Sequence, residues 1–295
     1  MKNPISTVLL SLFFFSYAFA KDKDATGSLE LLEQTRKEYE ADQAALDQIE
    51  RKKEEILKKN KHQKKPNSGP EWSEALKVWL PLFQKAEASY PEYLNALVNA
   101  YCDLPNASAK AKELREEIEQ QYPRSSITVN DQERRAQLAN AALPHLLNPG
   151  LEKEKADFFA QFLKPGFSTK LDDFFHLLRL PAEPQDWSEQ VAYSMASLRA
   201  GNISTARSEN KKLLKKATRF AEIHETYAEE RRNPAYSKKV REYRLYRALI
   251  EAHDEKDKEA RKFLSQALEN TTVDKLEPDI QKLVEEVEEL LREVK

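Results

Sequence analysis

Apolar positions from Glu71 to the C-terminus recur three and four residues apart, the spacing of helices with one buried face. Leu76, Trp79, Leu80, Phe83 and Ala86 share such a face. Pro81 lies inside that run and is expected to kink it or to start a new helix. Pro91 fits the first position of a further helix, Glu92 to Cys102. A turn at Asp103-Leu104-Pro105-Asn106 leads into a partner helix, Ala107 to Tyr122, with Ala111, Leu114 and Ile118 facing inward. Asp131 to Leu147 forms another helix, broken by Pro144 near its end and closed at Pro149-Gly150. Residues 152 to 180 carry Phe158, Phe159, Phe162, Phe167, Phe174 and Phe175, spaced for two short helices meeting at Pro165-Gly166. That cluster reads as core, because each buried Phe is worth about 1.5–3 kcal/mol. Pro181-Ala-Glu-Pro184 is a candidate boundary. The last helix, Asp274 to Val294, aligns Leu276, Ile280, Leu283, Val287, Leu290 and Leu291 and has glutamates on its outer face.

The N-terminal part follows a different pattern. Lys2, the apolar run Val8 to Phe15 and the small-x-small triplet Ala18-Phe19-Ala20 make residues 1–20 an expected signal peptide. The run is short for a bilayer span and no later segment is apolar enough, so an integral span in the mature chain is not expected. Residues 21–65 are a charged helix. Leu32, Tyr39, Leu46 and Lys53 occupy one heptad position, and Thr35, Asp42, Ile49 and Ile56 the other. Two readings stay open here: a coiled-coil stalk that makes a homo-oligomer through residues 28–60, or a single solvated helix packed loosely on the body. Pro66-Asn67-Ser68-Gly69-Pro70 is the clearest linker. Beyond it lie two expected halves, 71–182 and 183–295, the second closed by a capping helix.

Tyr90-Pro91 and Tyr122-Pro123 stand 32 residues apart, near the 34-residue tetratricopeptide period. Ala192 to Asn202 looks like a first repeat helix ending in a Gly-Asn turn at Gly201-Asn202, and Ala206 falls at the small position of the second. Ala248, then Ala260, Leu264 and Ala267, follow the same logic between Tyr243 and Asn270. The chain thus resembles tetratricopeptide-repeat proteins over three separated helix pairs. Signal, helical stalk, linker and repeats also come in an order that resembles the periplasmic cell-division coordinators associated with the Tol-Pal system, a resemblance of architecture alone. It implies an irregular helical-hairpin solenoid preceded by a long N-terminal helix, and a concave groove for another protein. The groove would be lined by first helices, at Tyr93, Leu97 and Tyr101 and at Gln190, Tyr193 and Ser197.

Composition narrows the picture further. The 295 residues include only 5 Gly, which argues against tight hairpins and Gly-rich phosphate loops, so the fold class is all-α. A single cysteine, Cys102 in the run ALVNAYC, reads as a buried structural thiol. No two of His62, His145, His176, His224 and His253 are four residues apart, and neither a serine-nucleophile elbow nor a phosphate loop occurs. No catalytic, cofactor or metal residue is therefore expected, and an enzyme with a site assembled from distant carboxylates is the least favoured reading. The net charge of −2, together with export, argues against nucleic acid. Charge is nonetheless segregated: Arg199 to Arg247 is basic, and Lys211, Lys215 and Arg219 follow one another at i,i+4. That stripe is a candidate site for an anionic polymer or surface, or else a solvated face neutralised by the acidic last helices. The expected protein is an exported, non-enzymatic scaffold of the periplasm or cell exterior that binds another protein, with envelope binding through the stripe as the alternative.

Overall fold

The computed structural model describes residues 4–62, 65–122, 129–164, 187–226, 235–269 and 271–293, with side chains from Ala25 onward except at 129, 130 and 132. The expectations placed on Pro165-Gly166, Phe167, Phe174, Phe175, His176 and Pro181 to Pro184 lie outside these residues. The fold is all-α, with no strand among the described residues. No helix there is long and apolar enough to cross a membrane. Two compact units divide the chain, Met1–Ile118 and Glu119–Lys295.

The first unit is a long antiparallel hairpin. Helix α1 spans Pro4–Lys59 and α2 spans Pro70–Asp103. Side chains meet in register all along it. Ser28 Oγ donates to Asp103 Oδ2 (2.5 Å), Tyr39 stacks on Tyr93 (4.9 Å between centroids), Lys85 pairs with Asp42 (2.7 Å), and Lys59 pairs with Glu71 (3.0 Å). At 1.5 Å per residue this contact line runs about 45 Å. The heptad seam is what α2 covers: Leu32, Asp42, Ile49 and Ile56 are buried, and Leu46 packs with Trp72, Trp79 and Leu82 around Ile49, Ile56 and Ala75. This corrects the loosely packed helix: α2 covers the seam along its length, so the coiled-coil partner of this stripe is the chain's own next helix. The expected linker at 66–70 is the hairpin turn of one unit, not a boundary between a stalk and a body.

Pro81 and Pro91 neither end nor restart a helix, since α2 passes through both. Each proline removes an amide and frees one carbonyl, of Lys77 or Glu87, at a cost of about 3 kcal/mol. Pro81 and Lys77 are exposed, and Pro91 and Glu87 are half-exposed, so water reaches those carbonyls. Packing of Ala75, Ala86, Tyr90, Tyr93 and Leu94 on both sides of the prolines holds the helix together. Tyr90-Pro91 is thus no helix closure, and the separate helices expected between Glu71 and Cys102 are one. The partner, α3 (Ala109–Gln121), buries Ala111, Leu114 and Ile118 as the spacing predicts.

In the second unit the helices are α4 (Val129–Leu147), α5 (Lys153–Phe162), α6 (Ser188–Arg199), α7 (Ile203–Glu225), α8 (Ala235–His253), α9 (Asp257–Leu268) and α10 (Pro278–Glu293). Helix α4 continues through Pro144. α6 packs on α4, α5 and α7, and α8 packs on α7, α9 and α10. The small residues fall where they were expected: Ala192, Ala206, Ala248, Ala260 and Ala267 are all buried, letting backbones approach. Trp187 closes one end of the core against Phe220, Tyr236 and Tyr243. α10 buries Ile280, Leu283, Val287 and Leu291 while Glu285, Glu288 and Glu289 face water.

The α6–α7 and α8–α9 turns are built alike. After α6, Asn202 N–H donates to Ser197 C=O (2.7 Å) and Gly201 N–H to Leu198 C=O (2.9 Å), with Gly201 at φ 86°. After α8, Lys256 N–H donates to Glu251 C=O (2.9 Å) and Glu255 N–H to Ala252 C=O (3.1 Å). Both are left-handed helix caps that satisfy orphan carbonyls. The second places a glutamate at φ 55°, where a Cβ is disfavoured.

Replacing Glu255 by Gly should therefore stabilise the chain, by about 0.5–1 kcal/mol, whereas Gly201→Ala should destabilise it; denaturant midpoints read both signs. Leu32→Ala should cost about 2–5 kcal/mol in the same measurement and leave the sedimentation coefficient unchanged, because the seam it opens is internal.

Candidate interaction surface

Burial decides which expected contact residues can meet a partner. Tyr93, Leu97 and Tyr101 are all buried within the first unit. Tyr93 donates to Glu117 Oε1 (2.6 Å), and Arg36 grips the same carboxylate through Nη2 at 2.6 and 2.8 Å. Burial and the Glu117 carboxylate push the Tyr93 phenol well above its ordinary range, so it stays protonated. Ser197 is buried in α6, and Gln190 and Tyr193 are half-buried. Gln190 Nε2 donates to Glu209 Oε2 (3.0 Å), an inter-helix contact. Tyr93, Leu97, Tyr101 and Ser197 therefore belong to the core, whereas Gln190 and Tyr193 keep part of their surface in water. The spacing that made them look like a concave face is also the spacing of an inward one, and the two faces of a buried helix cannot be told apart by periodicity.

The basic segment separates into paired and unpaired cations. Arg199, at the end of α6, donates to the carbonyls of Leu146 (3.1 Å) and Leu147 (2.9 Å), which end α4. It also holds Glu286 of α10 through both terminal nitrogens, at 2.5 and 2.7 Å. One guanidinium so ties three helices. His253 Nε2 lies 3.4 Å from the same carboxylate. Burial alone would raise the Glu286 carboxyl; hydrogen bonds from Arg199 and His253 outweigh it and hold the group below its ordinary value.

A second junction forms around Glu251 of α8, which is almost fully buried. Arg247 Nε lies 2.5 Å from Glu251 Oε1, and Arg207 of α7 bonds Glu251 Oε2 at 2.9 Å and also pairs with Asp254. Arg247 further donates to the Arg207 carbonyl (3.0 Å) and lies over the Phe263 ring. Lys238 pairs with Glu277 (2.5 Å), and Lys212 with Glu209 (2.6 Å). The acidic C-terminal segment neutralises Arg199 through Glu286 and Lys238 through Glu277, while Arg207 and Arg247 are neutralised by Glu251 of α8.

Lys211, Lys215 and Arg219 are exposed and make no ion pair or hydrogen bond among the described residues. The reason is helical phase. α7 buries Ala206, Asn210, Leu213, Ala217, Phe220 and His224, at alternating steps of four and three. Asn210 Nδ2 donates to the Tyr243 carbonyl (3.1 Å), fixing α7 on α8. At 100° per residue, Lys211, Lys215 and Arg219 point away from that face. They form a row about 12 Å long, with Glu222 next along it and joined to none of them.

No three His, Cys, Asp or Glu side chains converge as metal ligands among the described residues. Cys102 is buried and unbridged. The chain matches no family model, no curated protein and no solved structure. Two features here were missed in the sequence, the Arg199–Glu286 and Glu251 junctions. Arg247 and Glu251 at i,i+4 offered a local hint of one. The other spans 87 residues and left no local trace.

The Glu286 shift fixes a pH dependence. A carboxyl held low in the folded chain contributes stability that is complete above the ordinary glutamate value of 4.5 and is lost as pH falls through the folded value. Glu286→Gln should remove that acid-side loss from a pH series of denaturation midpoints, and it should lower stability at pH 7 by removing the counter-charge of Arg199.

Proposed function

We propose that this chain is an exported, non-catalytic helical scaffold that docks on an anionic polymer of the cell envelope or exterior through the outer face of α7. One observation carries the reading: within a single basic segment, the cations that tie helices together are paired, and Lys211, Lys215 and Arg219 are not. Like charges at i,i+4 repel by a few tenths of a kcal/mol per pair and give the fold nothing back. An anionic partner would offset that repulsion, and a row of three cations tracks a linear polyanion. Export rests on the Val8 to Phe15 run and Ala18-Phe19-Ala20. The tetratricopeptide-like reading draws support from the buried alanines and the two matched turns. The alternative, capture of a protein in a concave groove, is left with Gln190 and Tyr193, since Tyr93, Leu97, Tyr101 and Ser197 are buried.

The test is salt elution from an immobilised polyanion such as dextran sulfate. The full chain should be retained at low ionic strength and released by salt. Lys211→Glu, Lys215→Glu and Arg219→Glu together should abolish retention without changing the thermal midpoint. Retention equal to that of the parent chain would remove the reading.

A further inference from the structure

The apolar face of α2 is wider than the helix that covers it. Ala75 and Leu82 lie against α1, with Trp72 and Trp79 at the edge of the contact. Helical phase carries the same face round to Phe83, Leu76 and Leu80. Phe83 stacks on Trp79 (4.9 Å), and Leu76 and Leu80 are 38% and 49% exposed. Next to this apolar edge, cations gather at the hairpin tip. From Arg51 to Leu80 there are nine basic residues and four acidic ones. Arg51, Lys52, Lys61 and Lys65 are exposed, and their charged groups carry no partner among the described residues. Lys53 sits over the Trp79 ring, 4.1 Å from its centroid, and 6.0 Å from that of Trp72.

We propose that this tip is a peripheral membrane-binding element, in which Leu76 and Leu80 enter the headgroup region of an anionic bilayer and the surrounding cations bind its phosphates. The apolar edge is the flank of a helix, not a groove, and suits a fluid surface that conforms to it. Trp, Leu and Lys share one edge, the composition of interfacial helices. The excess positive charge gains free energy beside anionic lipid. A second copy of the chain fits less well. A closed dimer places identical patches together, and here that would bring two cationic tips into contact. The proposal does not rest on α7: it concerns other residues, in the other unit, and a different anion source.

Trp fluorescence reads it directly, because the chain has three tryptophans and the third, Trp187, is buried in the second unit. The full chain is mixed with vesicles of phosphatidylglycerol and phosphatidylcholine carrying brominated acyl chains. Trp72 and Trp79 should be quenched, and phosphatidylcholine alone should quench them far less. Leu76→Glu with Leu80→Glu should remove the quenching and weaken partitioning at least about tenfold. Leu76→Gln with Leu80→Gln should do the same without added repulsion, and helix content should be unchanged in both. The α7 triple reversal should keep the quenching, so the two proposals can fail separately. Equal quenching of the parent and the Leu76/Leu80 variants, or none with anionic vesicles, would overturn the proposal. So would a parent dimer that those substitutions dissolve, since the edge would then belong to a second copy.

Discussion

Everything in this chain follows from the need of each helix to cover one apolar stripe with another helix. A lone helix gains too little from its backbone to persist in water; packing of its apolar face supplies most of the stability. α1 and α2 meet that need mutually, over a line of contact from Ser28–Asp103 to Lys59–Glu71. In the second unit the stripes are satisfied in sequence, α6 between α4 and α7, and α8 between α7 and α9. Where two stripes match in width, the surface is polar. Where they do not, as on α2 beside Leu76 and Leu80, apolar area is left in water.

Charge is organised by the same demand. Arg199, Arg207 and Arg247 sit where helix ends and side faces converge, and each spends its hydrogen bonds on carboxylates or carbonyls of other helices. Removing one partner of such a junction leaves a charge that water cannot reach easily, so the junctions are costly to break even though building them adds little net stability. The cations on the far side of α7 carry no such duty, and that difference separates structural from available charge.

Sequence periodicity made the helices, their small-residue contacts and the Gly201 turn legible. Ala206, Ala248, Ala260 and the inward face of α3 were all found from spacing, because a 3.6-residue period leaves only one face for them. Helix ends at Pro81 and Pro91 were misread. Local proline chemistry predicts a break, and tertiary packing against α1 overrides it. The heptad seam was seen, but its occupant could not be: a stripe records that something covers it and not which chain supplies the cover. For the same reason Tyr93, Leu97 and Tyr101 looked like a groove, and only the position of α1 and α3 makes them core. The unpaired row on α7 was visible as charge, but its freedom from Glu251 and Glu286 depends on contacts between residues far apart in the chain.

The antiparallel course of α1 and α2 has a mechanical consequence. Ser28 and Asp103 lie side by side, so the two strands of chain that leave the hairpin do so at the same end. Tension between them is borne by one cross-helix contact at a time, starting at that end and moving towards Gly69, instead of being shared along the whole contact line. The hairpin therefore peels open like a fastener under a weak pull, although heat or denaturant must melt it as a whole.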